Sequence, residues 1–296
     1  MNARIGMGIA LVSGLVCALA GCDTAGTSGD DVGSTDMRTV EWELEGLESL
    51  GEDYVYEGWI VTEDGPISTG RFTVDGDGSA SLDSFEVDAA DADRATKFVL
   101  TIEPAEGDDP APSATKLMGG DFADGSASLS IADEAALGSD FVDATAQFLI
   151  ETPTSEPAED YANGIWFLDA DAGTPSIDLP ELPEGWAYEG WVVTDDGPLT
   201  TGRFTSASGE DSDGAGPTAG PLGFPKFPGQ DFIDPAMSLL GTTVVISIEP
   251  EPDDAAAPFL LKPLVMPAVE DVPDKGLQDM ENNAIASSPT GTARIR

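Results

Sequence analysis

Tyr56 to Thr73 reads YEGWIVTEDGPISTGRFT, and Tyr188 to Thr205 reads YEGWVVTDDGPLTTGRFT. Nearly the same eighteen residues occur twice, a constant 132 positions apart. YVYEGWIV is rich in aromatic and β-branched residues, which suit a pleated, half-buried surface. TEDGP is turn chemistry: Asp and Gly tolerate positive φ, and Pro stiffens the exit. ISTGRFTV is the return strand. The unit reads as a β-hairpin. Folding it about Asp64 sets Tyr56 opposite Phe72 and Glu57 opposite Arg71, so an aromatic faces an aromatic and an acid faces a base. Trp59 shares a face with Glu57 and is placed to receive the Arg71 guanidinium. The second copy repeats this with Tyr188, Phe204, Glu189, Arg203 and Trp191. Glu57 and Arg71 are either a binding site or a sheet-stabilising ion pair beside a tryptophan. Retention in both copies favours the structural role, because a duplicated fold keeps what the fold needs.

The match widens around the hairpin. Leu47, Leu50 and Tyr54 correspond to Leu179, Leu182 and Trp186 at the same offset. FVLTIEPAEGDDPAPSATK (Phe98 to Lys116) answers VVISIEPEPDDAAAPFLLK (Val244 to Lys262), where the offset has grown to 146. The second copy therefore carries an insertion, placed at residues 206–232, where Gly, Pro and Asp dominate and a long surface loop is expected. Gly125 to Ile131, Ala144 to Pro153 and Asn163 to Asp169 read as three further strands and are assigned to the second copy. The expected organisation is one domain over residues 38–122 and a second over 123–275, followed by a loose tail over 276–296.

Acidic residues outnumber basic ones 56 to 12, a formal charge of -44. Such a surface repels nucleic acid, whose binding rests on Lys and Arg against phosphate. It stays hydrated and attracts cations. There is no histidine, which removes Ser-His-Asp and Cys-His catalysis, His-ligated zinc and His-based pH switching. No phosphate loop, nucleophile elbow or metalloprotease motif occurs. The chain reads as a non-enzyme.

MNARIGMGIALVSGLVCALAGC (residues 1–22) has a basic start, an apolar run from Ile5 to Leu19, and small residues after it. This is a secretory signal peptide, too short in its apolar run to span a bilayer. Its end, Leu19-Ala20-Gly21-Cys22, resembles the bacterial lipobox, so Cys22 is expected to be lipidated and to anchor the mature chain. Residues 23–37 are small, polar and acidic and read as a flexible linker. The expected location is the bacterial cell envelope, lipid-anchored, on the periplasmic or cell-surface side.

YEGW…DGP…TGRF, then DGSASL, then FVLTIEPAEG…PAPS resembles the C-terminal, extracytoplasmic domain of anti-sigma-K factors. The resemblance covers Leu47 to about Phe122, and the second copy matches in LPELPEGWAYEGWVV and ISIEPEP. It implies an all-β fold of two tandem, immunoglobulin-like β-sandwich domains without catalytic residues. Such factors also carry a cytoplasmic zinc-motif domain and a membrane helix, and neither is found here. With a lipobox at residue 22, no segment is left to grip a sigma factor in the cytoplasm.

Asp75, Asp77, Ser79 and Glu86 stand at positions 1, 3, 5 and 12 of a calcium-loop pattern, but position 6 is Ala80 rather than Gly and the flanks read as strands. Ser208 to Gly216 is a second oxygen-rich loop. Calcium is the only cofactor the sequence raises. Phe224, Phe227 and Phe232 interleave with prolines in the insertion and form either a contact surface or an inward-folded cluster. The leading expectation is a non-enzymatic, lipid-anchored envelope protein that binds or braces an envelope protein or polysaccharide. A sensor or regulator related to anti-sigma factors and a calcium-dependent adhesion or carbohydrate-binding module are the alternatives.

Overall fold

The computed structural model describes residues 36–155, 160–223, 225–252 and 255–296. The leader, Cys22 and most of the linker lie outside the described residues. Asp36–Arg296 forms one compact unit.

The first copy supplies β1 (Met37–Glu45), β2 (Tyr54–Thr62), β3 (Gly65–Phe72), β4 (Ser84–Asp88), β5 (Lys97–Pro104), β6 (Lys116–Asp121), β7 (Ser126–Leu129) and β8 (Thr145–Phe148). A single-turn helix, α1 (Ala89–Ala92), follows β4, its first turn capped by the Asp88 carboxylate accepting from Ala90 N. The second copy supplies β9 (Gly164–Trp166), β10 (Leu168–Asp169), β11 (Thr174–Pro175), β12 (Ile177–Asp178), β13 (Trp186–Thr194), β14 (Gly197–Phe204) and β15 (Gly229–Asp231). It continues with β16 (Thr243–Pro250), β17 (Leu264–Met266), β18 (Gln278–Asp279), β19 (Glu281–Asn282), the one-turn helix α2 (Ala284–Ser287) and β20 (Thr290–Ile295). All strand pairing is antiparallel, and the fold is all-β.

The repeated eighteen residues are the β2–β3 and β13–β14 hairpins. Tyr56 stands opposite Phe72, Glu57 opposite Arg71, Tyr188 opposite Phe204 and Glu189 opposite Arg203. The tight turn closes between Thr62 and Gly65, where the Thr62 hydroxyl donates to Gly65 O and accepts from Asp64 N. A turn there would by itself put the far end out of register by one. A bulge restores it: Gly58 pairs with Gly70 and Trp59 with Ser68, leaving Thr69 as the extra residue. Gly70 and Gly202 follow the bulges with φ +116 and +99. A β-carbon on Gly70 would also run into the Phe85 ring, and one on Gly202 into Asp211 and Asp213. The Gly of TGRF is therefore fixed by backbone conformation and by space.

Each hairpin seeds a larger sheet, in the orders β3-β2-β5-β6 and β14-β13-β16-β17-β19. A second sheet, β4-β1-β20-β7, lies against the first. Trp42 of β1 stacks on Phe72 of β3 at 5.3 Å and on Phe85 of β4 at 5.4 Å, and lies 6.2 Å from Phe98 of β5. These contacts make the first copy a sandwich. In the second copy the facing layer is broken into the sheets β12-β8-β18 and β15-β9 and a small β10–β11 ribbon. One hydrophobic core runs through both copies, from Val40 and Tyr56 through Phe141 and Phe148 to Ile246 and Ala293. A smaller one holds Leu149, Trp166, Leu168 and Ala215.

Two features differ from the sequence-based expectation. The segment 276–296 is no loose tail: it carries β18, β19, α2 and β20, and β20 is hydrogen-bonded on both edges, to β1 and to β7. Its alternation of small and apolar residues suffices because Ala293 is fully buried in the sandwich. And β7, assigned to the second copy, is an edge strand of the first copy's facing sheet.

Candidate functional site

Two kinds of site deserve comparison: the duplicated carboxylate clusters behind the hairpins, and a cleft where the two copies meet. Behind the first hairpin, Trp59 Nε1 donates to Thr101 Oγ1 at 2.9 Å, and the Thr101 hydroxyl donates to Glu103 Oε1 at 2.5 Å. Ser113 N also donates to Glu103, at 2.8 Å. Glu57 accepts from the Ser68 hydroxyl and pairs with Arg71 at 3.6 Å. The second copy repeats the circuit. Trp191 Nε1 donates to Ser247 Oγ at 2.8 Å, the Ser247 hydroxyl to Glu249, Phe259 N to Glu249 at 3.0 Å, and Arg203 Nε to Glu189 at 3.0 Å. The period-2 pattern puts these groups on the face opposite Tyr56, Ile60, Leu100 and Ile102.

The four glutamates are 1–5% exposed or less: Glu57 4%, Glu103 1%, Glu189 5% and Glu249 0%. Burial raises Glu103 above the usual carboxylate range, with Asp108 and Glu57 adding to the rise and the Thr101 and Ser113 donors opposing it. None of the four lines the cleft or the depression described below. Each carboxylate is held inside the fold by side-chain or backbone donors. Arg71 also donates to Pro104 O, and Arg203 NH2 lies 3.5 Å from Pro250 O. The Arg71 guanidinium thus reaches the end of the neighbouring strand.

The cleft has a volume of about 230 Å³. Leu50, Tyr54, Ile102 and Ala114 line it from the first copy, and Pro252 and Phe259 from the second. It forms where the ends of β5 and β16 approach. There Gly185, with φ +90, packs its backbone on Ala114 and Thr115, and Glu251 N donates to Gly185 O at 2.8 Å. A β-carbon on Gly185 would stand 2.8 Å from the Ala114 carbonyl carbon. Beside the apolar cleft opens a wetter depression lined by Glu184, Arg203 and Glu251. An apolar body with a polar end fits this pairing.

The other expected site residues disperse. Asp75 accepts from Asp77 N and Ser79 N, Asp77 accepts from Ser79 N and its hydroxyl, and Glu86 sits on β4 opposite Thr39. These bonds close a tight turn. Among the described residues no three His, Cys, Asp or Glu side chains gather as a metal centre. Two of the three phenylalanines of the insertion turn inward. Phe232 is 3% exposed in the main core and Phe227 packs on the smaller one, because the insertion folds back on the sheet; Phe224 lies outside the described residues.

The insertion also holds buried acids that the sequence did not single out. Asp231 is fully buried and accepts from Thr154 N at 3.0 Å, Thr154 Oγ1 at 2.5 Å and Trp166 Nε1 at 2.8 Å. Asp211 accepts from Gly229 N at 2.8 Å. Burial, with Asp213 beside it, pushes the Asp211 carboxyl up to about 7. Asp213 is raised as well, chiefly by burial. The two side chains share a hydrogen bond. Density of aspartate in SGEDSDGAG gave a hint, but no local pattern says which of them is covered.

Residues 10–116 match the family model of the anti-sigma-K factor rskA, C-terminal. The matched stretch runs through both strands of the first hairpin and β5 to the start of β6, so the anti-sigma-K resemblance read from YEGW…TGRF and FVLTIEPAEG is established there. No curated protein matches the chain. No solved structure matches it either. Among the described residues no helix is long and apolar enough to cross a membrane.

Proposed function

We propose that this chain is a non-enzymatic, extracytoplasmic regulator of the anti-sigma-factor type, held at the membrane by lipid on Cys22, that senses a small apolar ligand in the cleft between its two copies. The observation that carries this is the anti-sigma-K match over residues 10–116. The duplicated carboxylates are buried and tied, which fits a domain that binds rather than one that reacts. The cleft supplies the place to bind, with an apolar floor and Arg203 and Glu251 at its rim. In this reading, with the chain held by lipid on Cys22, the signal passes through a membrane partner rather than through direct contact with a sigma factor.

Deletion of the gene is expected to change transcription of an extracytoplasmic-stress regulon. Restoration is expected from the wild-type chain and not from Cys22→Ser, whose product is released from the membrane. An unchanged transcriptome in the deletion strain overturns the regulatory role. Full function of a soluble Cys22→Ser chain overturns the anchor.

A further inference from the structure

We infer that the two copies have exchanged their last strands, and that the slot between β1 and β7 is an acceptor site for an extended peptide strand of the pattern Thr-Ala-polar-(Phe or Ile). Although Ala144 to Pro153 reads as part of the second copy in the sequence, Thr145 of β8 stands 147 positions before Thr292 of β20, continuing the offset of 146 between Phe98 and Val244, so in repeat order the first copy ends in β7 and then β8, and the second in β18 and β19 and then β20. Yet β8 does not return to its own facing sheet. It lies between β12 and β18 of the second copy, while β20, the last strand of the second copy, lies between β1 and β7 of the first. The two donors are alike in sequence: Thr145-Ala146-Gln147-Phe148 and Thr292-Ala293-Arg294-Ile295. They are alike in place. Ala146 pairs with Ile177 just before the second hairpin, and Ala293 pairs with Trp42 just before the first. They are alike in burial, with Ala146 3% and Ala293 0% exposed.

The segments leading into the two donors cross each other, as a reciprocal exchange requires. Asn282 Nδ2 donates to Phe141 O at 2.9 Å, Val142 O at 3.2 Å and Ala144 O at 3.0 Å. Phe141 adopts φ +58, a conformation a bulky residue holds only when its surroundings demand it. Its ring meets Tyr188 of the second copy edge-on at 6.5 Å. The crossover is thereby anchored in the copy that receives β8. Domain swapping is ordinarily an exchange of identical elements between two molecules. Here duplication has placed both partners on one chain. The slot holds its strand through main-chain bonds on two edges, the means by which sheets take up peptides, and Gly291 fits where a β-carbon would meet Leu44 and the Glu43 backbone.

The test uses the full chain with a protease site replacing Ile285–Ser287, where Ile285 is 82% exposed. After cleavage, a labelled peptide of residues 289–296 is expected to exchange into the slot, as read by fluorescence anisotropy. A peptide of residues 143–150 is expected to compete with it. The 289–296 peptide carrying Ala293→Asp is expected to bind about 100-fold more weakly or not at all, since it would bury an unpaired charge. Failure of both wild-type peptides, or acceptance of the 289–296 peptide alone, overturns the inference. In the intact chain the double variant Arg294→Gln/Ile295→Phe gives β20 the β8 pattern and is expected to keep the wild-type Tm within about 3 °C, given 2–4 °C per kcal/mol in a chain this long. A loss as large as that of Ala293→Asp overturns the inference even where the cleaved chain does not stay folded.

Discussion

At the scale of single residues, two kinds of position stand out: glycines that tolerate no side chain and aspartates buried with too few donors. Gly70 has φ +116 and the Phe85 ring over its α-carbon. Gly70→Ala is expected to cost about 2–3 kcal/mol, combining backbone strain with core displacement, read from the urea midpoint. Gly51, with φ +74 and open space around it, is the control. Gly51→Ala carries the backbone strain alone and is expected to cost about 1 kcal/mol. Asp211 gives a pH-dependent counterpart. Its folded-state carboxyl sits at about 7 against an ordinary value of 3.8, so the folded chain binds more protons than the unfolded one between those values. Stability from this group is therefore full below pH 4 and is lost as pH rises through 7. Asp211→Asn keeps an acceptor for Gly229 N and cannot ionise. It is expected to raise Tm at pH 8 by roughly 3–6 °C, equivalent to about 1–2 kcal/mol in a chain this long, and to leave Tm at pH 4 nearly unchanged. A wild-type Tm that does not fall between pH 4 and 8 relative to the variant refutes the assignment.

At the scale of elements, the hairpins show what a sequence can and cannot disclose. The pairing of Tyr56 with Phe72 and of Glu57 with Arg71 follows from period-2 alternation and the spacing of the acid and the base. The bulge at Thr69 could not be read from that spacing, because it cancels the turn's offset and leaves the outer pairs where a bulge-free ladder would put them. The Glu57–Arg71 and Glu189–Arg203 pairs were visible as candidates, but their tie to strand ends through Pro104 O and Pro250 O depends on where β5 and β16 lie. Removing either arginine strands a buried carboxylate. Arg71 is 34% exposed with its carboxylate 3.6 Å away, whereas Arg203 is 22% exposed at 3.0 Å. Arg71→Ala is expected to cost about 1–2 kcal/mol and Arg203→Ala about 2–3 kcal/mol, in that order, by chemical denaturation. The β8–β20 exchange was hidden for a different reason. TAQF and TARI are four residues long, both copies of the slot are lined by residues distant in sequence, and a short alternating strand carries no signal of which sheet it will join. Segment 276–296 looked loose for the same cause: its polar stretch around Ser287 and Pro289 conceals the one buried strand beyond it. Asp211 and Phe232 were equally opaque, since what covers them is the insertion's own return path.

At the scale of the whole molecule, charge and the cleft set the behaviour. With 56 acidic against 12 basic residues, self-repulsion opposes the compact state, and salt screens it over a Debye length of about 10 Å at 0.1 M. Tm is therefore expected to rise with NaCl. CaCl₂ at equal ionic strength separates general screening from specific binding: an equal rise means screening alone, and an excess marks a bound cation. The cleft carries the functional expectation. Its 230 Å³ exceeds the roughly 150 Å³ at which an apolar cavity accepts benzene, so it suits a ligand portion between benzene and naphthalene in size. Ala114 is on its wall and also meets Gly185, one of the points where the two copies touch. Occupancy there bears on both copies at once, which a sensor needs if binding is to alter the face it shows a partner. A naphthalene carboxylate, with its ring in the cleft and its anion toward Arg203, is expected to raise Tm in proportion to the logarithm of its concentration above Kd. Ile102→Trp puts a larger side chain on the cleft wall and is expected to abolish that rise. A ligand-induced shift that survives in Ile102→Trp places the binding elsewhere, and no shift with any apolar probe in the wild-type chain removes the cleft from the sensing role.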